Sequence, residues 1–397
     1  MFDPFDASQS RDSWPVLAEM RAAGPVVDVA GGLRYVTRHE PCRDVLRDTT
    51  AFSNANGMKA PGIDVPMEDR LLGELDPPRH AAVRRIMVTA LTPKVVHAAE
   101  AFIRATAAAL LDALPPRGVD LVAGFTVPLP NRVTVHLLGF EPGDATQLAR
   151  WAKELMESSF PATNQTERGV GFAAAFPEFA GYIDERLDER AEELAGGEAR
   201  DDVLAKLLSL TVDGEPLPRR QVRALVRNLI TGGLTTTSQL LANLVHQLCT
   251  VPGLESAVRA DARALDTAIE ESLRITPPIL FVARGCVSER AVEGCPIHAG
   301  ERVVVGLGSA NRDEDVFADP DAFRVDRENA DAHLTFGFGP HVCPGAALAR
   351  VEARIALEVL LEHFDPGTLR LAPGFAYEHV PTFFECGPRH LPLADRG

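Results

Sequence analysis

The feature that most restricts the fold is a helical pattern of apolar residues that runs roughly from Arg219 to Thr250. Leucines, valines and an isoleucine recur at helical spacing and widen the apolar stripe over much of the helix surface. A helix of this kind crosses the interior of a protein, because other elements must cover it on several sides. Pro252 and Gly253 end the pattern.

The remaining chain is also mostly helical in pattern, from about Pro77 to Leu273 and again after residue 345. A shorter helix is predicted over Leu265–Ile275, before two prolines. The strand-like segments are short: Val26–Val29, Leu33–Thr37, Phe281–Ala283 and Arg302–Val305. The sequence therefore predicts a mainly α fold with minor β. Because no linker is rich in Gly, Ser or Pro, it predicts one domain over residues 1–397.

Composition excludes several classes of protein. The net charge of −16 disfavours general binding to nucleic acid or to anionic membranes. The polar, acidic N-terminus is unlike a signal peptide, and no run reaches the ~18 apolar residues of a membrane helix, so we expect a cytoplasmic protein. The six cysteines contain no Cys-x-x-Cys pair, which argues against a disulfide framework or a zinc site.

One cysteine lies in an unusual loop. The segment Phe336–Gly345 holds three glycines and two prolines, which indicates tight turns and close approach of the backbone to another group. Cys343 comes just before a predicted helix start at Pro344, where backbone N–H groups favour a thiolate, the form that binds iron. From the residues alone, a buried inert thiol remains possible. A nucleophilic or redox-active cysteine with His341 as its partner is also possible.

The segment FGFGPHVCPGAALAR resembles the haem-binding loop of the cytochrome P450 family, Phe-Gly-x-Gly-x-His-x-Cys-x-Gly, and all six specified positions match. The resemblance implies the P450 fold, a triangular helical prism with a long central helix and small β-sheets. It implies haem b (iron protoporphyrin IX) as cofactor and Cys343 as its iron ligand. It also implies that Phe336 packs near the haem and that His341 hydrogen-bonds a propionate. Three glycines would let the backbone pass beneath the ring: Gly337, Gly339 and Gly345.

Two further segments resemble the propionate-binding positions of the same family. His80 and Arg84 are four residues apart, so both lie on one face of a predicted helix. Alone, the pair is typical of a solvated basic helix start; by the resemblance, it binds haem propionates. Arg284 follows a strand-like segment and resembles a further propionate ligand, although a surface arginine would have the same pattern.

Glu271 and Arg274 form a Glu-x-x-Arg pair on a predicted helix. By the resemblance they are a structural pair behind the haem loop. The family usually adds an arginine in a Pro-x-Arg-Phe stretch, where this chain has Ala322. We expect Arg312 or Arg324 to substitute for it, or backbone groups to satisfy the pair.

The long helix carries a weak point at Gly232–Gly233, followed by three threonines. A close helix crossing would explain it. By the resemblance, the segment is the dioxygen groove, with Thr236 in the place of the family's threonine and Thr235 in the place of its acid. A hydroxyl relays a proton but does not supply one at neutral pH. Either protons pass through Thr235, Thr236 and water, or the reaction is atypical and the substrate's polar groups move protons.

The resemblance implies a monooxygenase that uses dioxygen and acts on a small organic substrate, plausibly in secondary metabolism. Electrons would come from a separate ferredoxin and ferredoxin reductase, because no flavin or iron–sulfur domain fits in the chain. The protein is expected to be a monomer. The alternatives are an oxidase that couples C–C or C–N bonds or uses peroxide, and a non-catalytic haem protein. Arg79, Arg85, Arg350 and Arg354 would form a basic patch for an acidic ferredoxin, or they are dispersed surface arginines with no common task.

Substrate contacts are expected in four segments of the chain. They are 53–75, 228–231, 279–281 and 380–384. The side chains expected to face the substrate are Ile279, Leu280, Phe281, Val380 and Phe383, which indicates a mainly apolar pocket.

Overall fold

The computed structural model describes residues 1–10, 13–55, 57, 65–159, 171–198, 200–212, 214–382 and 384–395. The helices are α1 Ala7–Ser10, α2 Ser13–Ala23, α3 His39–Arg47, α4 Arg79–Ala90, α5 Pro93–Asp112, α6 Pro128–Leu138, α7 Ala145–Ser159, α8 Phe172–Ala175, α9 Pro177–Ala195, α10 Val203–Ser209, α11 Arg219–Thr250, α12 Leu254–Ala260, α13 Ala262–Ile275, α14 Leu307–Ala310 and α15 Ala346–His363. The strands are β1 Val26–Val29, β2 Leu33–Val36, β3 Phe52–Ser53, β4 Thr211–Val212, β5 Glu215–Pro216, β6 Val282–Cys286, β7 Arg290–Val292, β8 Cys295–Ile297 and β9 Arg302–Val305. The mainly α class with minor β is confirmed.

The long apolar helix is α11, with the bounds that its sequence pattern predicts. Nineteen of its 32 residues are buried. Its C-terminal half packs with α5, α6, α12, α13 and α15 in one apolar cluster, and its N-terminal half packs with α4, α6, α7, α9 and α10 in a second. Both halves therefore lie inside the protein, which explains why the stripe is so broad.

Local capping signals set several helix starts that surround α11. Thr92 accepts a hydrogen bond from the Val95 N–H, and proline follows it at the first position of α5. Asp202 caps α10 and Asp261 caps α13, each through a carboxylate oxygen that accepts a backbone N–H. These capped starts set where α5, α10 and α13 begin, and these helices pack around α11.

The β-structure lies to one side of the helices. Five strands form a sheet in the order β1-β2-β9-β6-β3, in which β2 and β9 are parallel and the other pairs antiparallel. Two hairpins, β4-β5 and β7-β8, are separate. The strand predicted over Phe281–Ala283 begins one residue later and extends to Cys286, which carries Arg284 into the middle of a paired strand.

Among the described residues, no single helix is both long and apolar enough to cross a membrane. The bent pair Arg79–Ala90 and Pro93–Asp112 meets the length and composition test only when both helices are taken together.

Candidate active site

A cavity of about 360 Å³ lies between α4, α6, α11, β6 and the loop that precedes α15. Its wall combines many apolar side chains with eleven polar or ionisable ones. The apolar wall includes Leu72, Met87, Leu137, Leu229, Leu240, Ile279, Val282 and Leu348. The polar groups are His80, Arg84, Thr134, Asn228, Thr236, Thr237, Arg284, Thr335, His341, Cys343 and Glu352. Residues that are distant in the chain thus face one space.

Cys343 lies on the cavity wall at the end of the glycine-rich loop. Its backbone N–H donates to the Phe336 carbonyl at 2.8 Å, which closes the loop. The helix begins at Ala346, two residues later than predicted. The side chain is open to the cavity, but protein surrounds the sulfur so closely that burial raises the pKa of the thiol. The backbone N–H groups of Gly345 and Ala346 and the charge of Arg84 lower this pKa without overcoming burial.

This outcome corrects the expectation that the helix start alone favours a thiolate. The predicted N–H groups do lower the pKa of the Cys343 thiol. Burial raises this pKa by more, because it disfavours the charged thiolate. A coordinated metal ion deprotonates such a thiol outright. A thiol that faces a cavity and has two backbone N–H groups at its sulfur therefore fits an iron ligand.

Glycine is present at the three positions of the loop for different structural reasons. Gly337 and Gly339 have φ angles of 76° and 71°, in the left-handed region that favours glycine. Gly337 and Gly345 line the cavity. Gly339 is outside the cavity wall, and a Cβ there would lie 3.1 Å from the Arg47 Cα. We expected Gly339 beneath the haem; the structure places it against α3.

Two imidazole rings meet at the cavity. His80 and His341 stack with centroids 3.7 Å apart, and in the described structure neither Nε2 atom has a hydrogen-bond partner. Burial, with smaller contributions from neighbouring cations, lowers the pKa of His80 to about 4 and that of His341 to about 3. A buried ring nitrogen without a partner costs free energy unless a ligand supplies one.

Two guanidinium groups line the same cavity. Burial lowers the pKa of Arg84, and it lowers the pKa of the buried Arg284 to about 10. Asp76 acts in the opposite direction, since its carboxylate raises the pKa of His80 and of Arg284, so one anionic group of the protein already lies near this cluster. The predicted propionate ligands His80, Arg84, Arg284 and His341 are thus brought together, with the thiol of Cys343 on the same cavity wall. The residues fit haem b.

Phe336 lies on the cavity wall, as the resemblance implies. The guanidinium of Arg350 covers its ring at 4.6 Å from the centroid. Arg350 also donates to both oxygens of Glu270, at 2.7 and 2.8 Å. The start of α15 is thus tied to α13 next to the loop that carries Cys343.

Glu271 and Arg274 are both fully buried and form an ion pair at 2.6 Å. Arg274 also donates to the carbonyls of Asn311, Pro320 and Ala322. The third side chain that reaches Glu271 is Arg327, whose Nε lies 2.8 Å from Oε1. The expectation of Arg312 or Arg324 as a side-chain substitute was wrong.

The two expected arginines have other partners. Arg312 pairs with Asp321 and donates to the Ile275 carbonyl. Arg324 reaches Glu271 only through its backbone N–H, at 3.0 Å, while its side chain pairs with Asp326. The expectation that backbone groups contribute is therefore met in part.

The Gly–Gly segment of α11 faces the cavity. A Cβ on Gly233 would lie 2.9 Å from Oγ1 of Thr134 on α6, so glycine permits a close helix crossing. Gly232 lines the cavity, and its carbonyl accepts the Thr236 hydroxyl at 2.6 Å. The close crossing is thus present in the structure, and the dioxygen groove stays a prediction.

The threonines differ in orientation. Thr236 lines the cavity as expected, but Thr235 does not, and its hydroxyl donates at 3.5 Å to the Thr231 carbonyl on its own helix. Thr237, which the sequence analysis did not single out, lines the cavity instead. A helix turns about 100° per residue, so three successive threonines cannot all face one side.

The expected substrate contacts are only partly on the cavity wall. Ile279, Leu72, Gly73, Asn228 and Leu229 line it. Leu280 and Phe281 do not: they pack with α2 and β2 in a separate apolar cluster, where the ring of Phe281 meets Phe5. Val380 is also outside the wall, with its N–H bonded to the Gly387 carbonyl. Phe383 lies outside the described residues, as do 56 and 58–64 of the loop 53–75.

Glu352 is a cavity residue that no sequence motif indicates. It is buried at 3% exposure, and its Oε1 has no hydrogen-bond partner within the described chain. Burial raises the pKa of its carboxyl to about 8. The signal was present in the sequence: Glu352 stands four residues after Leu348 and three before Ile355, on the apolar stripe of the last helix.

The four arginines expected to form a docking patch are not equivalent. Arg350 is held by Glu270 and Phe336, and Arg354 pairs with Asp266 and Glu358. Arg85 is exposed on α4, and Arg79 is partly exposed. Arg350 and Arg354 nevertheless expose 37% and 36% of their side chains, so all four arginines are at least partly accessible, and the two on α15 differ in being paired with acidic residues.

Comparisons with known proteins agree with this geometry. The family model described as Cytochrome P450 matches residues 160–371. The chain is similar to erythromycin C-12 hydroxylase of Saccharopolyspora erythraea, with 32% identity over 95% of this chain and 93% of that protein. It is similar to cyclomarin C epoxidase CymV of Salinispora arenicola, with 32% identity over 98% and 97%. A solved mutant of P450 EryK in complex with erythromycin B matches with a TM-score of 0.86 and 31% identity over 98% of each chain.

Proposed function

Since the chain belongs to the cytochrome P450 family, we propose that it inserts one oxygen atom of dioxygen into an apolar small molecule of secondary metabolism. The chain is accordingly an oxidoreductase of the monooxygenase type with haem b as its cofactor, and it has the P450 fold. The observation that carries the proposal is Cys343 on the wall of a cavity that also holds Arg84, Arg284 and two histidines whose Nε2 atoms have no hydrogen-bond partner in the described structure.

The lining of the cavity supports an apolar substrate. Leu229, Leu240 and Ile279 present aliphatic groups, and Asn228 provides an amide among them. Oδ1 of Asn228 accepts the Leu72 N–H at 3.2 Å, which leaves the amide nitrogen as a donor to a substrate oxygen. The relatives named above act on erythromycin and cyclomarin C by their names, which supports a natural-product substrate for this chain.

The side chains of the cavity have distinct tasks in this proposal. His80, Arg84, Arg284 and His341 would hold the haem propionates, and Cys343 would ligate the iron. When bound, the haem supplies dioxygen activation, which thiolate donation promotes. The apolar wall would orient the substrate and exclude water, and Thr236 would place a hydroxyl on the cavity side of α11.

The overall reaction consumes substrate, dioxygen, two electrons and two protons, and yields the oxygenated product and water. A separate ferredoxin and its reductase would supply the electrons. Arg79 and Arg85 on α4 provide accessible positive charge for an acidic donor. A monomer suffices, since one chain forms the cavity.

The test is the absorption of the reduced, carbon monoxide-bound holoprotein. Thiolate coordination by Cys343 gives a far-shifted Soret band, and Cys343→Ser should abolish it. Cys295→Ser is the matched control, because Cys295 lies in β8 outside the cavity. A Soret band unchanged in Cys343→Ser would refute the assignment.

Turnover separates the alternatives. A substrate found by a Soret-shift screen should be oxygenated with NADPH, a surrogate ferredoxin and its reductase. Product that forms only with hydrogen peroxide would favour a peroxide-using enzyme, and a coupled product of unchanged oxygen content would favour an oxidase. Haem binding without any turnover would favour a non-catalytic protein.

A further inference from the structure

We propose that Asp76 is a positioning residue for the haem: its carboxylate joins the end of β3 to the start of α4, and its negative charge lowers the reduction potential of the iron. This inference rests on the proposed function, in which His80 on α4 and Arg284 on β6 bind the haem propionates. Asp76 itself does not line the cavity, so it acts through these two neighbours and through its charge.

Asp76 connects two segments that are distant in the chain. Its Oδ1 accepts the Asn54 backbone N–H at 2.9 Å, and its Oδ2 accepts the Ser53 hydroxyl at 2.5 Å. Its backbone carbonyl accepts the His80 N–H at 2.9 Å, at the start of α4. Hydrogen bonds to a carboxylate are roughly twice as strong as those between neutral groups. The contacts of Asp76 therefore hold the end of β3 against the turn that leads to His80.

The end of β3 also lies beside Arg284. Ser53 pairs with Gly285, so β3 is the antiparallel neighbour of the strand that carries Arg284. The chain after β3 comes close to that strand as well: a Cβ on the buried Gly57 would lie 3.0 Å from the backbone nitrogen of Arg284. Asp76 therefore links the helix that carries His80 to the strand next to Arg284.

The charge of Asp76 acts on the same two side chains. Burial lowers the pKa of His80 and of Arg284, and the Asp76 carboxylate raises both. The two side chains lie on different elements, and Asp76 is the acidic residue that influences both of them. The electric field of this carboxylate thus reaches two of the groups that would hold the propionates.

A negative charge fixed near a haem lowers its reduction potential. It stabilises the ferric state over the ferrous state, because ferric iron carries one more positive charge. The effect is larger for a partly buried charge than for one that water and salt screen. Asp76 is half-buried, and the donors from Ser53 and Asn54 fix its carboxylate. Its charge therefore keeps one position in the folded protein.

The experiment separates the charge from the link and uses the haem-loaded protein. Asp76→Asn removes the charge at nearly constant size. In a spectroelectrochemical titration it should shift the ferric–ferrous equilibrium toward ferrous iron by about three- to tenfold, where tenfold corresponds to about 59 mV for one electron. Ser53→Ala removes one donor and keeps the charge. It should leave this equilibrium within twofold of wild type and release haem to excess apomyoglobin about threefold faster or more.

Asp48 and Thr50 offer a matched pair of controls on the other side of β3. Oδ1 of Asp48 accepts the hydroxyl and the N–H of Thr50, at 2.6 and 3.1 Å, and its carboxylate pairs with Arg290. Neither residue lines the cavity. Asp48→Asn and Thr50→Ala should therefore keep the wild-type potential and the wild-type rate of haem release.

The charge role is overturned if Asp76→Asn leaves the equilibrium within twofold of wild type or shifts it no more than Asp48→Asn does. The positioning role is overturned if Ser53→Ala releases haem at the wild-type rate. Should Asp76→Asn fail to fold, Asp76→Glu decides, because it keeps the charge and lengthens the side chain: the wild-type potential with faster haem release is expected, and a potential raised by as much as 59 mV would refute the charge role. The proposed function fails separately, if wild type lacks the thiolate Soret band.

Discussion

The Nε atom of Arg327 lies 2.8 Å from Oε1 of Glu271, and both side chains are almost completely buried. The Arg327 N–H at Nε is not aligned for a hydrogen bond, so this contact is an ion pair. The remaining Arg327 nitrogens donate to the carbonyls of Ala318, Asp319 and Ala322. Arg327 thus takes the place of the arginine that the family usually has at the position of Ala322. It connects the irregular segment after α14 to α13.

Arg327→Ala should lower the free energy of unfolding by about 3 kcal/mol, because it leaves the buried Glu271 with one cation fewer. The measurement is urea unfolding followed by haem absorbance and far-UV circular dichroism. Arg324→Ala is the control, since only its backbone N–H contacts Glu271 and its side chain is exposed. Equal losses in the two variants would contradict the role of Arg327.

His80→Phe and Arg84→Met should each release haem faster by about 10- to 100-fold. Each removes a donor to a propionate, and a hydrogen bond to a charged group contributes about 1.5–3 kcal/mol. Haem transfer to excess apomyoglobin measures the rate. Arg85→Met is the control because Arg85 is exposed on the same helix and does not line the cavity. Unchanged release from the first two variants would exclude them as propionate ligands.

Gly232→Ala and Gly233→Ala should differ in stability. Alanine gains up to about 1 kcal/mol over glycine within a helix, and at Gly232 its Cβ would have ordinary contact, 3.7 Å from Nδ2 of Asn228. At Gly233 the Cβ would lie 2.9 Å from Oγ1 of Thr134 and force a shift. A double-mutant cycle of Gly233→Ala with Thr134→Ala should show a coupling energy of about 1 kcal/mol. Additive effects would contradict the close crossing.

Glu352 should make the fold less stable as pH rises. The pKa of its carboxyl is raised from 4.5 to about 8 on folding, so the folded state holds this proton more tightly. The stabilisation is complete below pH 4.5 and declines by about 1.4 kcal/mol per pH unit until pH 8. Urea unfolding at pH 5 and pH 8 should show this decline in wild type and in Glu358→Gln. The decline should be smaller in Glu352→Gln, and an unchanged difference would refute it.

Arg85→Glu should raise the concentration of an acidic ferredoxin at half-saturation by about three- to tenfold, with weaker salt dependence. Arg350→Glu would also break the contacts with Glu270 and Phe336, so it would report on the fold as well as on docking. Arg117→Glu, an exposed arginine after α5, is the control. If wild type, Arg85→Glu and Arg117→Glu have equal half-saturation and salt dependence, α4 has no docking role.

Periodicity and short motifs were sufficient for much of the fold. α11 has the predicted bounds Arg219–Thr250, and β1 and β9 match their predicted residues. These features depend on local spacing, which a single sequence displays. The loop around Cys343 was equally clear, since its turns require glycine and proline at particular positions.

The site needed more than spacing. Leu280 and Phe281 have apolar side chains like that of Ile279, but only Ile279 lines the cavity. Alternation along an extended segment explains why Leu280 points away from the cavity, but it would place Phe281 on the same side as Ile279. Phe281 instead packs in the separate apolar cluster, so the chain path and its packing decide which residues line the cavity. Thr237 lines the cavity and Thr235 does not, although Thr235 is the one predicted to do so. The rotation of α11 about its axis decides this, and that rotation is set by packing against the neighbouring helices.

The long interior helix, the mainly helical class and the cysteine loop can be predicted from the amino-acid sequence, because they follow from side-chain periodicity and backbone restrictions within short segments. That Arg327 completes the Glu271–Arg274 pair and that Glu352 faces the cavity becomes apparent only in the folded chain. Both depend on contacts between segments far apart in the chain. Burial, which changes the pKa of Cys343 and Glu352, arises only when those segments pack together.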